Sequence, residues 1–412
     1  MNKIFTLLSL LAFSFGFAQS PWPSVNWNSA DNLTDIIDTD GLTDMSGLHW
    51  NPVTERLYCI QGDGRLYVLQ QNSTATGYTI IANKSVPDGP EGITQVSFTA
   101  NEFYTIDENN YEIRKFTHNA AFGNLVESRH WDLLASPSPM EDTGNNGPEG
   151  IVFIPDSALS ASAFVSQQTG LAYTSTKGMG GLMFVAHQDE GYIWVFDINP
   201  NVTNDFAYVG KYKTNRLEST DLAFDRTTGL LYILHNIDAN YIEVTDLSSV
   251  ITTGSTRKFV TKSEYFVANP TDDNVNIEGF AIAPKCPGGN GVSAWLCRDV
   301  EGNEDDEIQQ DALRWFNPYV ADGVCTPLSV DENFTSQIAV YPNPGNGIVT
   351  ISLGNFSTGT NIRIINSLGQ TVMKIKSETG NPTFDASSLA SGMYLIEINQ
   401  GQNTATVKWI RN

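Results

Sequence analysis

Short runs of alternating apolar and polar residues fill most of the chain, and one such unit recurs along it. Each copy opens with a polar or acidic residue, usually followed by glycine, and continues as an apolar strand, a turn and two further strands. The copies begin at Ser46, Glu91, Glu149, Thr220 and Glu278. Long-period repeats of short strands and turns are typical of propellers, whose blades are four-stranded antiparallel sheets. The pattern therefore predicts an all-β fold with a β-propeller as its body.

The distances between copies indicate how many blades to expect. Consecutive copies start between 45 residues (46 to 91) and 71 residues (149 to 220) apart, whereas blade repeats usually span about 40–50 residues. We therefore predict five blades with loop insertions, and a sixth blade hidden in the insertions is the alternative. The segment Asn32 to Asp38 is expected to supply the strand that closes the ring on the last blade.

The pattern changes near Asp331, after which alternating strands are separated by Asn-Gly and Leu-Gly turns. Strands with such turns predict a small C-terminal β-sandwich. Three motifs of this tail, Tyr341–Pro344, Asn366–Gln370 and Ser391–Leu395, resemble in their order the type IX secretion C-terminal sorting domain. The resemblance implies export across an outer membrane by the type IX machinery, followed by release or surface attachment.

The N-terminus has the features of a signal peptide. Lys3 gives it a positive start, Ile4 to Phe17 are almost all apolar, and Gly16 and Ala18 place small residues before a cleavage site at Gln19. The apolar run is shorter than the roughly 20 residues that span a bilayer. We therefore divide the chain into a signal peptide (1–18), a propeller (19–330) and a sorting domain (331–412), with no transmembrane segment.

The chain is strongly acidic, with 46 Asp and Glu against 23 Lys and Arg and a net charge of −23. Such a body repels phosphate backbones, so nucleic acid is not expected as a partner. Cation binding suits this charge better. We expect a monomer whose partners are the secretion machinery and an extracellular small molecule or glycan.

Four cysteines, Cys59, Cys286, Cys297 and Cys325, enter an oxidising compartment in which disulfides form. Four cysteines allow three pairings, and the sequence alone does not choose among them. Cys286 with Cys297 is the most local pair. Structural disulfides or buried thiols are expected, since the spacings match no zinc site.

Propeller geometry brings the starts of the first strands to one rim of the central channel. These starts contribute at least one carboxylate per repeat, namely Asp44, Glu91, Glu149, Glu218 and Glu278. Carboxylates held close together do not all stay ionised unless a cation neutralises them. Because oxygen-rich sites with several carboxylates suit Ca²⁺, we predict a calcium site formed by these five residues. The alternative is that some of them bond to backbone groups of neighbouring blades.

The ends of the second strands reach the same rim and carry the candidate catalytic groups. His187 and His235 occupy equivalent positions of the third and fourth repeats, and Arg298 lies in the fifth. A neutral imidazole can act as a general base, and arginine can hold a phosphate or carboxylate. Alternatively, both histidines stack between blades as spacers.

The Ser-Gly-Leu and Glu-Gly-Ile repeat starts, found between Ser46 and about Asn317, resemble those of the SdiA-regulated and phytase-like (esterase-like) propeller families. The resemblance implies a propeller with Ca²⁺ in or near its channel and, in some members, ester or phosphoester hydrolysis. Two hypotheses follow. The first is a secreted calcium-dependent hydrolase of esters or phosphoesters. The second is a non-catalytic propeller that binds a glycan, peptide or surface partner around a structural cation.

Overall fold

The chain divides into two compact units, Met1–Cys325 and Thr326–Asn412. The computed structural model describes residues 20–37, 43–72, 77–87, 89–237, 239–267, 276–286, 292–300, 310–325, 338–353, 360–366, 370–377, 381–400 and 403–412. The predicted signal peptide lies outside these residues. Of the described helices, none is long and apolar enough to cross a membrane.

Within its described residues, the first unit consists of five antiparallel blades of four strands. Blade 1 contains β2 (Met45–Asn51), β3 (Arg56–Gln61), β4 (Arg65–Gln71) and β5 (Tyr78–Ser85). Blade 2 contains β6 (Pro90–Thr94), β7 (Glu102–Asp107), β8 (Glu112–His118) and β9 (Leu125–Asp132). Blade 3 contains β10 (Pro148–Pro155), β11 (Gly181–His187), β12 (Tyr192–Ile198) and β13 (Phe206–Lys213). Blade 4 contains β14 (Leu222–Asp225), β15 (Leu230–His235), β16 (Tyr241–Ile251) and β17 (Arg257–Phe266). Blade 5 contains β18 (Ile277–Ile282), β19 (Val292–Arg298), β20 (Leu313–Tyr319) and β1 (Asp31–Asn32). The predicted all-β propeller is confirmed.

The first strands of the blades surround the channel and contact one another. Further out, neighbouring blades pack through apolar and aromatic side chains. Trp295 of blade 5 stacks on Trp50 of blade 1 with ring centroids 4.5 Å apart, and Trp131 is fully buried between blades 2 and 3. Burial of a large apolar side chain stabilises a fold by about 1.5–3 kcal/mol. The apolar positions of the repeats thus hold the ring together.

The ring closes through the segment that precedes blade 1. Asp31 and Asn32 pair antiparallel with β20. The closing strand is shorter than the predicted segment Asn32–Asp38, because the Asn32 side chain accepts a hydrogen bond from the Thr34 backbone and the chain turns into helix α1 (Thr34–Ile37). The Thr34 hydroxyl then accepts two backbone hydrogen bonds beside β20.

Blades 3 and 4 are joined edge to edge into one eight-stranded sheet. Their outer strands β13 and β17 run parallel where they meet, with Tyr212 opposite Arg257 and Lys213 opposite Lys258. The junction is reached because β16 continues for 11 residues. Backbone pairing as well as side-chain packing therefore fixes these two blades to each other.

The insertion of blade 3 lies between β10 and β11 and begins with helix α2 (Asp156–Ala161). The fully buried Asp197 carboxylate of β12 anchors it by accepting hydrogen bonds from the Tyr173 and Ser175 hydroxyls and from Thr176. Because this loop follows the end of a first strand, it belongs to the end of the channel opposite the strand starts.

Cys286 and Cys325 form a disulfide with Cα atoms 5.7 Å apart. Cys59 and Cys297 are buried thiols. The local pair Cys286–Cys297 is therefore not formed, because Cys297 lies inside β19 and packs into the interface with blade 1. Burial raises the pKa of the Cys297 thiol, which keeps it protonated and unreactive.

The second unit contains two sheets that share one core. One sheet consists of β21 (Ala339–Tyr341), β22 (Ile348–Ser352) and β25 (Thr383–Asp385). The other consists of β24 (Thr371–Ser377), β23 (Thr360–Asn366), β26 (Gly392–Gln400) and β27 (Asn403–Arg411). Ile351 of the first sheet and Ile364 and Trp409 of the second are buried together, which gives the predicted β-sandwich.

Candidate functional site

The first strand of each blade starts at the same end of the channel, and four of these starts are irregular. The antiparallel register shifts between Met45 and Gly47, Pro90 and Gly92, Pro148 and Ile151, and Ile277 and Gly279. These β-bulges contain Ser46, Glu91, Glu149 and Glu278, respectively. A bulge turns a side chain out of the regular alternation of a strand. The bulges therefore explain why the side chains of these acidic residues turn away from the faces of the blades at the end of the channel where the first strands start.

Four of the five predicted metal ligands lie together at this channel mouth. The carboxylates of Glu91, Glu149 and Glu278 interact electrostatically with one another, and Asp44 interacts with Glu91 and Glu278. A Cβ atom on Gly62 would lie 2.9 Å from both Asp44 Oδ2 and Glu91 Oε1. A side chain at this position would therefore displace one of these carboxylate groups.

The ends of two second strands add carboxylates that the predicted ligand set does not contain. The carboxyl of Glu149 is hydrogen-bonded to that of Glu108, and Asp299 interacts with Asp44 and Glu278. Glu108 and Asp299 follow β7 and β19 directly, so their positions after a strand were the signal that could have identified them. We use the term carboxylate cluster for six residues: Asp44, Glu91, Glu108, Glu149, Glu278 and Asp299.

Burial and mutual repulsion favour the protonated forms of Glu91, Glu149 and Glu278 in the carboxylate cluster. Burial is the main cause that raises the pKa of Glu91 to about 7, and the negative charges of Asp44 and Glu108 add to it. Burial, followed by the charges of Glu91 and Glu278, raises the pKa of Glu149 well above its ordinary value. The pKa of Glu278 is raised well above its ordinary value by burial and then by Asp299. A cation at the mouth would replace these protons, because it would favour the ionised forms.

An amide chain extends the carboxylate cluster toward blade 4. Asn276 donates a hydrogen bond of 2.7 Å to Glu278 Oε1, and Asn236 donates one of 2.7 Å to Asn276. The Asn236 Oδ1 atom is buried without a hydrogen-bond partner among the described residues. A buried acceptor normally has a partner, so this oxygen is available to a bound group. Across the described part of the chain, no group of three or more Asp, Glu, His or Cys side chains lies close enough together to hold a metal ion.

Glu218, the fifth predicted ligand, has a different neighbour. Its backbone carbonyl accepts a 2.6 Å hydrogen bond from His235 Nδ1. Burial raises the pKa of its carboxyl, and the nearby His235 opposes this. The structure therefore brings Glu218 to His235 rather than to the other four predicted ligands.

At the other four strand starts a glycine follows the first polar residue, which is Ser46, Glu91, Glu149 or Glu278. In blade 4, Asp221 stands at the position of this glycine. Its fully buried carboxylate accepts backbone hydrogen bonds from Leu222, Phe280 and Leu48 at 2.7, 2.8 and 3.3 Å. These bonds connect the first strands of blades 4, 5 and 1 across the channel. The Asp in a Gly position was a visible signal for this residue, which the predicted site does not include.

His187 lies between blades 2 and 3 with 2 % of its surface exposed. Its ring lies 6.3 Å from the Tyr111 ring and 6.2 Å from the Trp194 ring. Its Nδ1 accepts a hydrogen bond from the Asp189 backbone, and burial lowers its pKa to about 4. The imidazole is therefore neutral at physiological pH and its Nδ1 is occupied.

His235 and Arg298 are both buried, and each contacts a carboxylate. His235 Nε2 lies 3.3 Å from Glu243 Oε2, and both side chains are inaccessible to solvent. Arg298 lies 3.4 Å from Asp311 and is 5 % exposed. The three predicted catalytic residues thus lie in three separate environments, each with its own partners.

Comparison with known families identifies the second unit. Residues 339–412 match the family model described as the secretion system C-terminal sorting domain. In the structure, the motif that begins at Tyr341 is fixed to β27, because Trp409 donates to the Pro342 carbonyl and Asn343 accepts from Ile410. The predicted sorting domain is confirmed, and the protein is exported as a secreted or surface-attached protein.

Two known proteins are similar to the chain. Beta-agarase A of Zobellia galactanivorans is 24% identical over 283 residues, which cover 67% of this chain and 48% of the relative. The chain thus spans about half the length of this curated relative. PorZ, a surface component of the type IX secretion system of Porphyromonas gingivalis, aligns over 90% of this chain and 59% of its own, with a TM-score of 0.31 and 14% identity.

Proposed function

We propose that the exported propeller binds a divalent cation, with Ca²⁺ as the expected ion, at the carboxylate cluster, and that this centre binds an extracellular ligand without catalysis. The observation that carries the proposal is the convergence of Asp44, Glu91, Glu149 and Glu278 at one mouth of the channel. Export by the sorting domain delivers this mouth to an environment that contains free cations and glycans.

The chemistry of the donor set fits a hard cation. Ca²⁺ takes six to eight oxygen ligands from carboxylates, amide carbonyls and water. The mouth offers carboxylates together with Asn236 Oδ1, which has no hydrogen-bond partner among the residues that the structure describes. Asp44, Glu91, Glu149 and Glu278 would hold the ion, with Glu108 and Asp299 beside them. Blade 4 would contribute the side chain of Asn236 as a ligand in place of Glu218. A bound cation would supply positive charge that attracts ligand oxygens.

Binding is favoured over acid–base catalysis by the residues around the mouth. His187, His235 and Arg298 are buried and engaged with Asp189, Glu243 and Asp311, respectively. A general base must reach the proton that it removes, and these contacts direct the three side chains elsewhere. The similarity to an agarase makes neutral galactose-based oligosaccharides the first ligands to test.

Adding Ca²⁺ to chelator-treated protein is expected to raise the melting temperature by about 5 °C or more at saturation, and more at pH 8 than at pH 5. Because the folded carboxylates have raised pKa values, the folded state holds more protons than the unfolded state between pH 4.5 and about 7. The metal-free protein therefore loses stability as the pH rises through this window. Ca²⁺ needs ionised ligands, so its contribution grows over the same window.

Differential scanning fluorimetry with calcium titration measures this effect. Glu149→Gln should abolish most of the calcium response, whereas Glu141→Gln, at an exposed position of the segment between blades 2 and 3, should keep it. A melting temperature independent of calcium at both pH values would contradict the proposal. So would an unchanged calcium response in Glu149→Gln.

Hydrolysis is a second candidate function, favoured by one observation. A carboxyl with a pKa of about 7, as found for Glu91, is tuned for proton transfer at neutral pH. A screen of esters, phosphoesters and lactones with calcium present tests this function. A hydrolase that uses Glu91 would show a pH-dependent limb near 7, lost in Glu91→Gln and kept in Glu141→Gln. Equal rates in wild type and Glu91→Gln would exclude this role.

A further inference from the structure

Three lysines lie on one face of the eight-stranded sheet. In β13 and β12, Lys213 is directly opposite Tyr192 and Lys211 is opposite Trp194. Residues directly opposite each other in an antiparallel pair share a face. The parallel junction then places Lys258 of β17 beside Lys213. We use the term lysine face for Tyr192, Lys211, Lys213 and Lys258.

The aromatic ring of Tyr192 is part of the same cluster. The Nζ atoms of Lys211 and Lys213 lie 4.4 and 4.6 Å from the centroid of this ring, and Lys211 Nζ is also 4.8 Å from the Trp194 ring. Cation–π contacts of this kind hold the ammonium groups in place without neutralising them. The two charges are therefore concentrated over one partly exposed tyrosine.

The lysines of the lysine face differ from three other lysines of the propeller in their distance from carboxylates. Lys115 pairs with Glu102 at 2.9 Å, Lys262 with Asp246 at 2.7 Å, and Lys177 with Asp205. Within the described residues, by contrast, no carboxylate lies within 4.0 Å of an ammonium of the lysine face. The exposed Asp189 and Glu190, in the 3₁₀ turn before β12, also stay beyond this distance. Such a face is unusual in a chain with a net charge of −23.

The ammonium groups also have N–H donors that their contacts with described residues do not use. Lys213 donates to the Glu190 carbonyl at 2.8 Å, and Lys258 donates to the Asn215 side chain at 2.9 Å. An ammonium has three donors, and these contacts use one each. The remaining donors can meet acceptors on a ligand.

We propose that the lysine face binds an anionic polysaccharide, with its carboxylate or sulfate groups on the lysines and its sugar rings against Tyr192. Lysines two residues apart on one strand are separated by about 6.6 Å, and lysines on adjacent strands by about 4.8 Å. These separations are similar to the spacing of anionic groups on a single sugar ring. Nucleic acid is disfavoured, because its charges lie closer together than those of such polysaccharides and the acidic body of the protein repels it more strongly. The proposal is independent of the carboxylate cluster.

Calorimetry on the mature full-length protein tests the proposal with three hexasaccharides at 50 mM salt with chelator present. The probes are hyaluronan, which carries carboxylates, chondroitin sulfate, which also carries sulfates, and neutral dextran. The expected result is binding to one or both anionic probes and none to dextran. Chelator removes any calcium bridge to the carboxylate cluster, so failure of the cation proposal leaves this result unchanged.

Variants locate the binding. The triple variant Lys211→Gln, Lys213→Gln and Lys258→Gln should lose about tenfold or more in affinity. The matched variant Lys115→Gln, Lys177→Gln and Lys262→Gln, with the same change of net charge, should keep the wild-type affinity. Lys213→Arg keeps the charge and should still bind if the triple variant proves unstable. Equal affinity of the two triple variants, no preference for the anionic probes over dextran, or binding only to anionic lipid vesicles would overturn the proposal.

Discussion

Replacing Gly92 with valine is expected to prevent the propeller from folding. Gly92 lies in the first strand of blade 2, and a Cβ atom there would lie 2.7 Å from the Glu149 carbonyl oxygen and 2.7 Å from the Ile151 nitrogen. Both atoms belong to the backbone of blade 3, which cannot turn aside as a side chain would. Relieving the clash requires two first strands to separate, which we expect to cost at least about 3 kcal/mol.

Soluble yield and urea-induced unfolding measure this effect. Gly123→Val is the matched control, because a Cβ atom at Gly123 would meet only the Asn119 side chain, at 3.4 Å, and the stability should change by about 1 kcal/mol or less. A Gly92→Val protein as stable as the control would mean that the blades do not approach each other this closely at the channel.

Removing Thr326–Asn412 is expected to stop the protein from leaving the cell. This segment forms the second unit and contains the matched sorting domain, while the first unit retains all of its blades and its disulfide. The truncated chain should therefore accumulate, folded, in the periplasm. Immunoblotting of medium, surface and periplasmic fractions measures the distribution.

Two comparisons make the export result specific. Glu397→Gln removes one exposed ion pair with Arg363, which contributes only about 0–1 kcal/mol, and should be exported normally. Fusion of residues 326–412 to an unrelated periplasmic protein should carry that protein outside the cell. Normal export of the truncated chain would show that the sorting information lies elsewhere.

The sequence was sufficient to predict the propeller, because four of the five repeats start with a polar or acidic residue, a glycine and an apolar strand. Glu91, Glu149 and Glu278 precede glycine and an apolar strand, and the structure starts a first strand at each of them. Blade 4 departs from this pattern, since Thr220 and Asp221 replace the Glu-Gly pair. Glu218, the acid that precedes this pair, therefore looked equivalent to the glutamates of the other repeats, although its neighbour in space is His235.

The surroundings of the histidines could not be derived from strand periodicity. His187 and His235 do end the second strands of blades 3 and 4. The groups that cover the end of a strand come from the neighbouring blade or from the next strand, here Tyr111 of blade 2 for His187 and Glu243 of β16 for His235. Likewise, Cys325 reaches Cys286 only after the chain has crossed blade 5, so spacing could not select this pair.

The way in which the ring closes determines when the propeller can finish folding. Strand β1 comes from the beginning of the first unit and β20 from its end, so the last backbone pairing has to wait until nearly the whole unit has been delivered. Contacts between such distant segments form slowly. Until then the edge of β20 in blade 5 has no partner strand. The pairing of β1 with β20 is therefore the step that completes the propeller, and it depends on both ends of the first unit.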